Sequence, residues 1–325
     1  MPGANVRLFT TCPQSKDHPQ DEYYERVRNV SKWSDDAGCT GMLIYADNSI
    51  IDPWLVAQLV MQETRQLAPL VAVQPVYMHP YSVAKMVASL GFLYRRKIWL
   101  NMIAGGFKND LVALGDNTEH DRRYERLTEY SQIIRRLLAG DKVTYPGNFY
   151  QVQGLPMTPP LSPDLMPGFT MAGSSDASRA AALAIDAIAV EYPEPLKTSE
   201  PVSHRGIRVG IIAHQDSETA WAMAHQRFPA DRRGQLQHAM TMRVTDSTWQ
   251  RTLGSLEVSL EGPYWLWPFK NYSTFCPYLV GDYDTVAGEI ARYLALGYET
   301  FILDIPRSSD DLVAAREVFR RAGAA

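Results

Sequence analysis

Short apolar runs alternate with stretches of helical period along the whole chain. The first four runs are VRLFTTC (6–12), TGMLIYA (40–46), PLVAVQPVY (69–77) and KIWLNMIAGG (97–106). Each is continuously apolar rather than alternating, as in a strand buried on both faces of a parallel sheet. The segments between them repeat apolar residues at three- and four-residue spacing, which predicts amphipathic helices. DEYYERVRNVSKWSDDAG ends on a glycine stop, and DPWLVAQLVMQETRQL opens with Asp52 as N-cap and Pro53 in the first turn. PYSVAKMVASLGFLYR follows the third run, and TEHDRRYERLTEYSQIIRRLLAG follows the fourth after a short loop.

The second half repeats the theme less regularly. DKVTYPGNFYQVQGLPMTPPLSPDLMPG (141–168) is rich in Pro and Gly and predicts a hairpin turning at Pro146-Gly147. FTMAG, DAIAVEYP and IRVGIIA read as strands five to seven, although the connection PEPLKTSEPVSHRG between the last two shows no helix. A helical region over 216–253 precedes the irregular, aromatic-rich LEGPYWLWPFKNYSTFCPYLVGD. The chain closes with helix TVAGEIARYLALG, strand TFILDIP and helix SDDLVAAREVFRRAG. Eight β–α units predict an α/β fold, a (β/α)8 barrel forming one domain over 1–325, with a hairpin excursion at 141–168 and an insertion at 254–281.

Bulk properties narrow the function classes. Hydrophobic residues make up 46% and charged residues 21%, values of a soluble globular chain. A net charge of −4 and a pI near 6.0 leave no basic footprint for nucleic acid. No apolar run reaches the roughly 20 residues that cross a bilayer, and the N-terminus has no signal-like core, so a cytoplasmic location is expected. Cys12, Cys39 and Cys276 form neither a CxxC pair nor a disulfide framework. Cys39 reads as a core residue, whereas Cys12 ends the first strand, where a chemical role is open. The histidines are scattered without metal-ligand spacing, so no metal is expected.

In such a barrel the chemistry sits at the carboxyl ends of the strands. That rule nominates Cys12, Tyr45 to Asn48, Tyr77 and His79, Ala104 to Lys108, Ser174 and Ser175, Glu191 and Tyr192, His214, and Asp304. The sharpest signal is MAGSSDASRAA (171–181). Small residues from Gly173 to Ser175 let a ligand approach the backbone, and the helix that follows offers free N–H groups suited to phosphate. An ordinary Ser or Asp N-cap explains the same stretch. In TEHDRRYERLTEY, His120 and Tyr124 are four apart and share a helix face. Either they face a ligand or the segment is a solvated helix start capped by Thr118. His79 contacts substrate or caps the turn before Pro80. No GxGxxG, GxxxxGK[ST], HExxH or GxSxG appears, and no nucleophile–base pair is evident. A bound organic cofactor is therefore expected to carry the reaction.

The segment NMIAGGFKNDLVALGDNTEHDRRYERLTEY (101–130) resembles bacterial luciferase-like flavin monooxygenases, most closely the alkanesulfonate monooxygenase branch. The resemblance continues through KVTYPGNFYQVQG, MAGSSDASRAA and LVGDYDTVAGEIARYLALGYETFILDIP, four motifs in order over most of the chain. It implies reduced FMN from a separate NAD(P)H-dependent reductase, O2 and a small organic substrate. Oxygen would be transferred through a C4a-peroxyflavin, in a homodimer or homotetramer. A minority branch uses the deazaflavin F420 and moves a hydride instead. Carried over by position, Asn101 bonds the flavin, His120 and Tyr124 reach its ribityl chain or phosphate with Arg123 beside them, and Gly173, Ser174 and Ser175 hold the phosphate. Ala46 and Asp47 lie along the ring, and Tyr45, His79 and Arg208 are the catalytic candidates.

The departures are informative. The family threonine in the fourth strand is Ala104, a branch cysteine falls on Ile51, and a branch histidine near Arg208 falls on Gly210. Losing these donors argues against a small alkanesulfonate, because a sulfonate needs a donor-rich pocket. EGPYWLWPFKNYSTF stands where the family carries an active-site lid. Its aromatics either cover a larger or apolar substrate or are buried as packing or in a subunit interface.

Overall fold

The computed structural model describes residues 6–105, 108–195, 203–245, 247–257 and 262–323. Its strands are β1 (Arg7–Thr11), β2 (Gly41–Ile44), β3 (Ala68–Val73), β4 (Trp99–Met102), β5 (Val143–Pro146), β6 (Gln151–Leu155), β7 (Gly168–Ala172), β8 (Ile188–Glu191), β9 (Arg205–His214), β10 (Tyr264–Trp265), β11 (Tyr278–Asp282) and β12 (Tyr298–Leu303). The helices are α1 (Gln20–Asp36), α2 (Pro53–Glu63), α3 (Pro80–Tyr94), α4 (Lys108–Ala113), α5 (His120–Leu138), α6 (Asp176–Ala184), α7 (Ser217–Arg227), α8 (Arg232–Val244), α9 (Thr248–Ser255), α10 (Trp267–Lys270), α11 (Tyr283–Ala295) and α12 (Ser309–Arg321). The main sheet runs β10-β11-β9-β12-β1-β2-β3-β4-β7-β8, and β8 pairs again with β9. The eight strands from β9 to β8 therefore close on themselves as the predicted (β/α)8 barrel. No helix among the described residues is long and apolar enough to cross a membrane.

Contacts divide the chain into two compact units, Cys12–Ser31 with Gly41–Ala189, and the segments up to Thr11, Lys32–Thr40 and from Val190 onward. In the first unit β2, β3, β4 and β7 pair in parallel, and every residue of β3 is buried, which accounts for the unbroken apolar run. The run predicted to 77 ends at Val73. Pro75 lacks a donor for the ladder, and the chain turns with Tyr77 N donating to Gln74 O at 3.1 Å. The predicted strand at 97–106 likewise contracts to Trp99–Met102. Asp52 caps α2 through Trp54 N with Pro53 in the first turn, as read from sequence.

Helix α5 starts at His120, and Thr118 is not its cap. The Thr118 hydroxyl donates to Asp116 Oδ1 at 2.6 Å, and the N-cap is Glu119, which makes no side-chain cap bond. Asp116 also takes Arg126 at 2.7 Å, so the loop before α5 is tied to the helix's second turn. The hairpin β5–β6 is antiparallel, and Glu129 of α5 accepts from the N–H groups of Asn148, Phe149 and Tyr150 at 2.9, 2.9 and 3.2 Å.

In the second unit β9 pairs in parallel with both β11 and β12, and β12 with β1. Ile207, Val209, Phe301, Ile290 and Phe319 form its main core. The stretch read as irregular contains β10, α10 and β11. Helix and strand signals are masked there because aromatic packing, not period, places the residues. Trp265 is buried edge-on to Trp221, His225 and Phe228, and Phe269 packs on His238 and Trp249. Trp265, Leu266 and Phe269 of this segment are buried. Residues 258–261 of the predicted insertion lie outside the described residues, as do Gly106 and Phe107 after β4.

Candidate functional site

The turn from β7 into α6 brings together groups that the sequence set far apart. Gly173 holds a φ of +140°, a region open to glycine and costly for other residues. A Cβ placed there would lie 2.5 Å from Ser178 Oγ and 2.9 Å from the Tyr124 hydroxyl. The Ser178 side chain is buried, and its Oγ has no hydrogen-bond partner. Ser175 is the N-cap of α6 and accepts from Ser178 N at 3.2 Å. Its capping role is therefore real, and it leaves the Ser178 hydroxyl uncommitted. Ser174 O accepts from Arg179, which also pairs with Asp176. A buried hydroxyl, a phenol, a glycine cradle and a nine-residue helix N-terminus converge on one point. That donor set fits a phosphate ester, which needs several O–H and N–H donors and favours the positive end of a helix.

His120 stands beside this cluster. Its ring is 5.3 Å from that of Tyr124, edge to face, and its Nδ1 lies 2.7 Å from Asp121 Oδ1, so the shared face predicted for the pair is present. Arg123 is buried and donates to Gly105 O at 3.3 Å, so its guanidinium serves the end of the β4 loop. Asn101 is buried on β4 opposite Thr170, whose hydroxyl donates to Asn101 Oδ1 at 2.8 Å. Its amide oxygen is thereby engaged within the barrel.

A cavity of about 290 Å³ opens at the ends of β2 and β3. Ala46, Asp47, Trp54, Gln74, Tyr77 and Met78 are among its lining residues. Asp47 accepts from Ser49 N and Ser49 Oγ, both at 2.6 Å, and lies 3.8 Å from Lys16. Tyr77 donates to Asn48 Oδ1 at 2.8 Å, and Asn48 donates to Asp110 O at 3.3 Å, so the loops after β2 and β3 are joined to α4. Tyr45 lines a separate hollow of about 10 Å³ with Cys12 and Tyr23. Burial pushes the Cys12 thiol up to about 12, so it is held as a neutral thiol. Cys39, read as core, is half-buried.

His79 is the N-cap of α3: its Nδ1 accepts from Tyr81 N at 3.1 Å, and its ring meets Tyr150 edge-on at 5.8 Å. Desolvation lowers its pKa, which keeps the acceptor nitrogen unprotonated. His214 similarly joins the Asp216 cap of α7, at 2.9 Å. In the second unit Arg208 is buried on β9, with Nη2 3.6 Å from Asp304 Oδ1. Asp304 Oδ2 accepts from Thr274 at 2.6 Å and Tyr278 at 2.8 Å. Gly210, where the branch histidine is missing, is filled by a neighbour, since a Cβ there would lie 2.3 Å from the Tyr278 ring.

Ser178, Gln74, Thr274 and Tyr278 were not singled out from the sequence. Ser178 had a signal, the i to i+3 spacing from Ser175 at a helix start. Tyr278 had none, because its strand was hidden in the aromatic stretch.

A sequence model of the luciferase-like monooxygenase family matches residues 5–300. The chain belongs to the luciferase-like monooxygenase family. This luciferase-like monooxygenase is 35% identical over 307 residues to the 4-(gamma-L-glutamylamino)butanoyl-(BtrI acyl-carrier protein) monooxygenase BtrO of Niallia circulans. That alignment covers 90% of this chain and 89% of the relative. Among solved structures, a riboflavin lyase with modified FMN and riboflavin matches with a TM-score of 0.76 at 16% identity, over 99% of this chain and 92% of that one. An F420-dependent secondary alcohol dehydrogenase with an F420–acetone adduct matches with a TM-score of 0.62 at 13% identity, over 98% and 99%. At those identities the solved structures share the fold with this luciferase-like monooxygenase, and the relative in Niallia circulans supports the enzyme class.

Proposed function

We propose that this chain is an FMN-dependent monooxygenase of the two-component kind, supplied with reduced FMN by a separate NAD(P)H-dependent flavin reductase. The observation that carries the reading is the convergence of Ser178, Tyr124 and Gly173 at the α6 N-terminus, a phosphate cradle that FMN fits. When bound, a reduced flavin supplies the two electrons that let one atom of O2 enter the substrate while the other leaves as water. This chain's residues bind and orient. Ser178 and Tyr124 donate to the phosphate, His120 reaches the ribityl chain, and Asn101 offers its amide N–H groups to the flavin. Ala46 and Asp47 flank the ring with Gln74 and Tyr77. Their role is to keep bulk water away while oxygen transfer is under way.

The substrate class we infer is an acyl group borne on a carrier protein, as the name of the Niallia circulans relative states for that enzyme. A small alkanesulfonate is disfavoured. Arg208 is matched by Asp304, and the Tyr278 ring occupies the space beside Gly210. A second reading, hydride transfer with F420, draws on the likeness to the F420-dependent dehydrogenase. The test is to load the protein without oxygen with reduced FMN or reduced F420, then admit O2 and follow gas uptake and product mass. Uptake with reduced FMN coupled to gain of one oxygen atom in the product is expected. Tight F420 binding, hydride transfer and no oxygen uptake would overturn the proposal.

A further inference from the structure

Helix α8 has two sharply different faces. Gly234 lies against the backbone of Asn271, Gln235 donates to the Asn271 side chain at 2.9 Å, His238 packs on Phe269, and Met242 touches Gly254. These positions turn one stripe of the helix into its own unit. The opposite stripe is Arg232, Arg233, Leu236, Gln237, Ala239, Met240 and Arg243, all exposed. Leu236 is 61% and Met240 67% exposed, and at i and i+4 they form one apolar step on the helix surface. Arginines elsewhere on this surface are commonly paired, as Arg7, Arg28, Arg136, Arg292, Arg320 and Arg321 show. Among the described residues no ion pair engages Arg232, Arg233 or Arg243, and α8 contains no acidic residue. Asp231, the N-cap of α8, spends its carboxylate on Arg233 N at 2.9 Å and forms no ion pair among the described residues. Against a net charge of −4, this positive stripe with apolar side chains at its centre stands out. An apolar centre with unpaired arginines around it is the composition of a protein-docking surface, not of an ordinary solvated helix.

We infer that the exposed face of α8 docks an acidic acyl carrier protein that delivers the substrate. The inference rests on the carrier-borne substrate proposed above and names the partner-facing surface for it. Arg232, Arg233 and Arg243 meet carboxylates on the carrier, and Leu236 and Met240 bury against an apolar residue between them. Charge complementarity of this kind acts chiefly on encounter and orientation, and it weakens as salt rises. None of the five residues belongs to the flavin cradle, so their roles separate cleanly from catalysis.

The probe is the 4-(gamma-L-glutamylamino)butanoyl group offered in two forms, on the BtrI acyl carrier protein and as a small soluble thioester. Turnover of both is measured in the reductase-coupled assay with the wild type, with Arg232→Glu/Arg233→Glu/Arg243→Glu, and with the milder Leu236→Ser/Met240→Ser. Folding is checked by circular dichroism. The docking face predicts a KM for the carrier-borne form raised about tenfold or more in the charge variant, with kcat and turnover of the small thioester unchanged. It also predicts that the wild-type KM for the carrier-borne form rises with salt. Equal KM values for wild type and both variants on the carrier-borne form would overturn the docking face and leave the substrate class standing. No turnover of either form would overturn the substrate class, and the docking face with it. Retention of duplex DNA in preference to the carrier would assign the stripe to nucleic acid and overturn the inference.

Discussion

At Gly173 the backbone adopts a φ of +140° while Ser178, buried in the first turn of α6, keeps a hydroxyl without a partner. A buried unsatisfied hydroxyl costs about 1–3 kcal/mol, and a folded chain keeps one where a ligand satisfies it. Ser178→Ala is therefore expected to leave the fold at least as stable by thermal denaturation and to weaken FMN binding. Gly173→Ala meets both the backbone strain and the 2.5 Å approach to Ser178, so it should weaken FMN binding even where the protein folds. His120→Ala and Tyr124→Phe are each expected to cost about 1–2 kcal/mol of flavin affinity with the fold intact. Unfolding with unchanged affinity would make that pair structural. Asp116 behaves differently. Although burial opposes ionisation, the Arg126 and Thr118 bonds hold its carboxyl at about 2 against an ordinary 3.8. Its contribution is complete above the unfolded value and is lost as pH falls toward 2. Asp116→Asn should lower stability at pH 7 by about 1–2 kcal/mol after allowance for solvent screening, and the deficit should shrink in acid.

Elements are positioned by a few such bonds as much as by apolar period. Glu129 holds three consecutive N–H groups of the hairpin loop, so Glu129→Ala should raise amide exchange at Asn148, Phe149 and Tyr150 and cost about 2–3 kcal/mol. Unchanged exchange there would show that the hairpin is held from elsewhere. Gly210→Val should collide with the Tyr278 ring and destabilise the protein by about 1–3 kcal/mol, read by denaturant midpoint. The eight barrel strands were legible because strands buried on both faces make unbroken apolar runs between amphipathic helices. The boundaries at Val73 and Met102 were not, because a turn outside the ladder can be as apolar as the strand before it. β11 stayed hidden because Trp265, Phe269 and Tyr278 satisfy core packing whatever the local period. The residues of the turn proposed to hold phosphate were legible as a type, small and hydroxylic before a helix. Which hydroxyl is free was not, since Ser175 and Ser178 differ only in the cap bond that one of them makes.

At the scale of the molecule, the chain is a luciferase-like monooxygenase on a (β/α)8 barrel, and the proposed function leaves the hard chemistry to a bound flavin. The residues proposed to hold the flavin all fall in one compact unit, whereas Arg208, Asp304 and Tyr278 form a buried network in the other. On the proposed function, the first unit would bind FMN and the second, through α8, would receive the carrier. Its most direct test is a titration without oxygen of reduced FMN against reduced riboflavin, which differ only in the phosphate, on wild type and Ser178→Ala. The phosphate cradle predicts that wild type prefers FMN by at least about tenfold, the scale of one or two charge-assisted bonds, and that Ser178→Ala reduces that preference. Equal affinity of the wild type for the two flavins would contradict it.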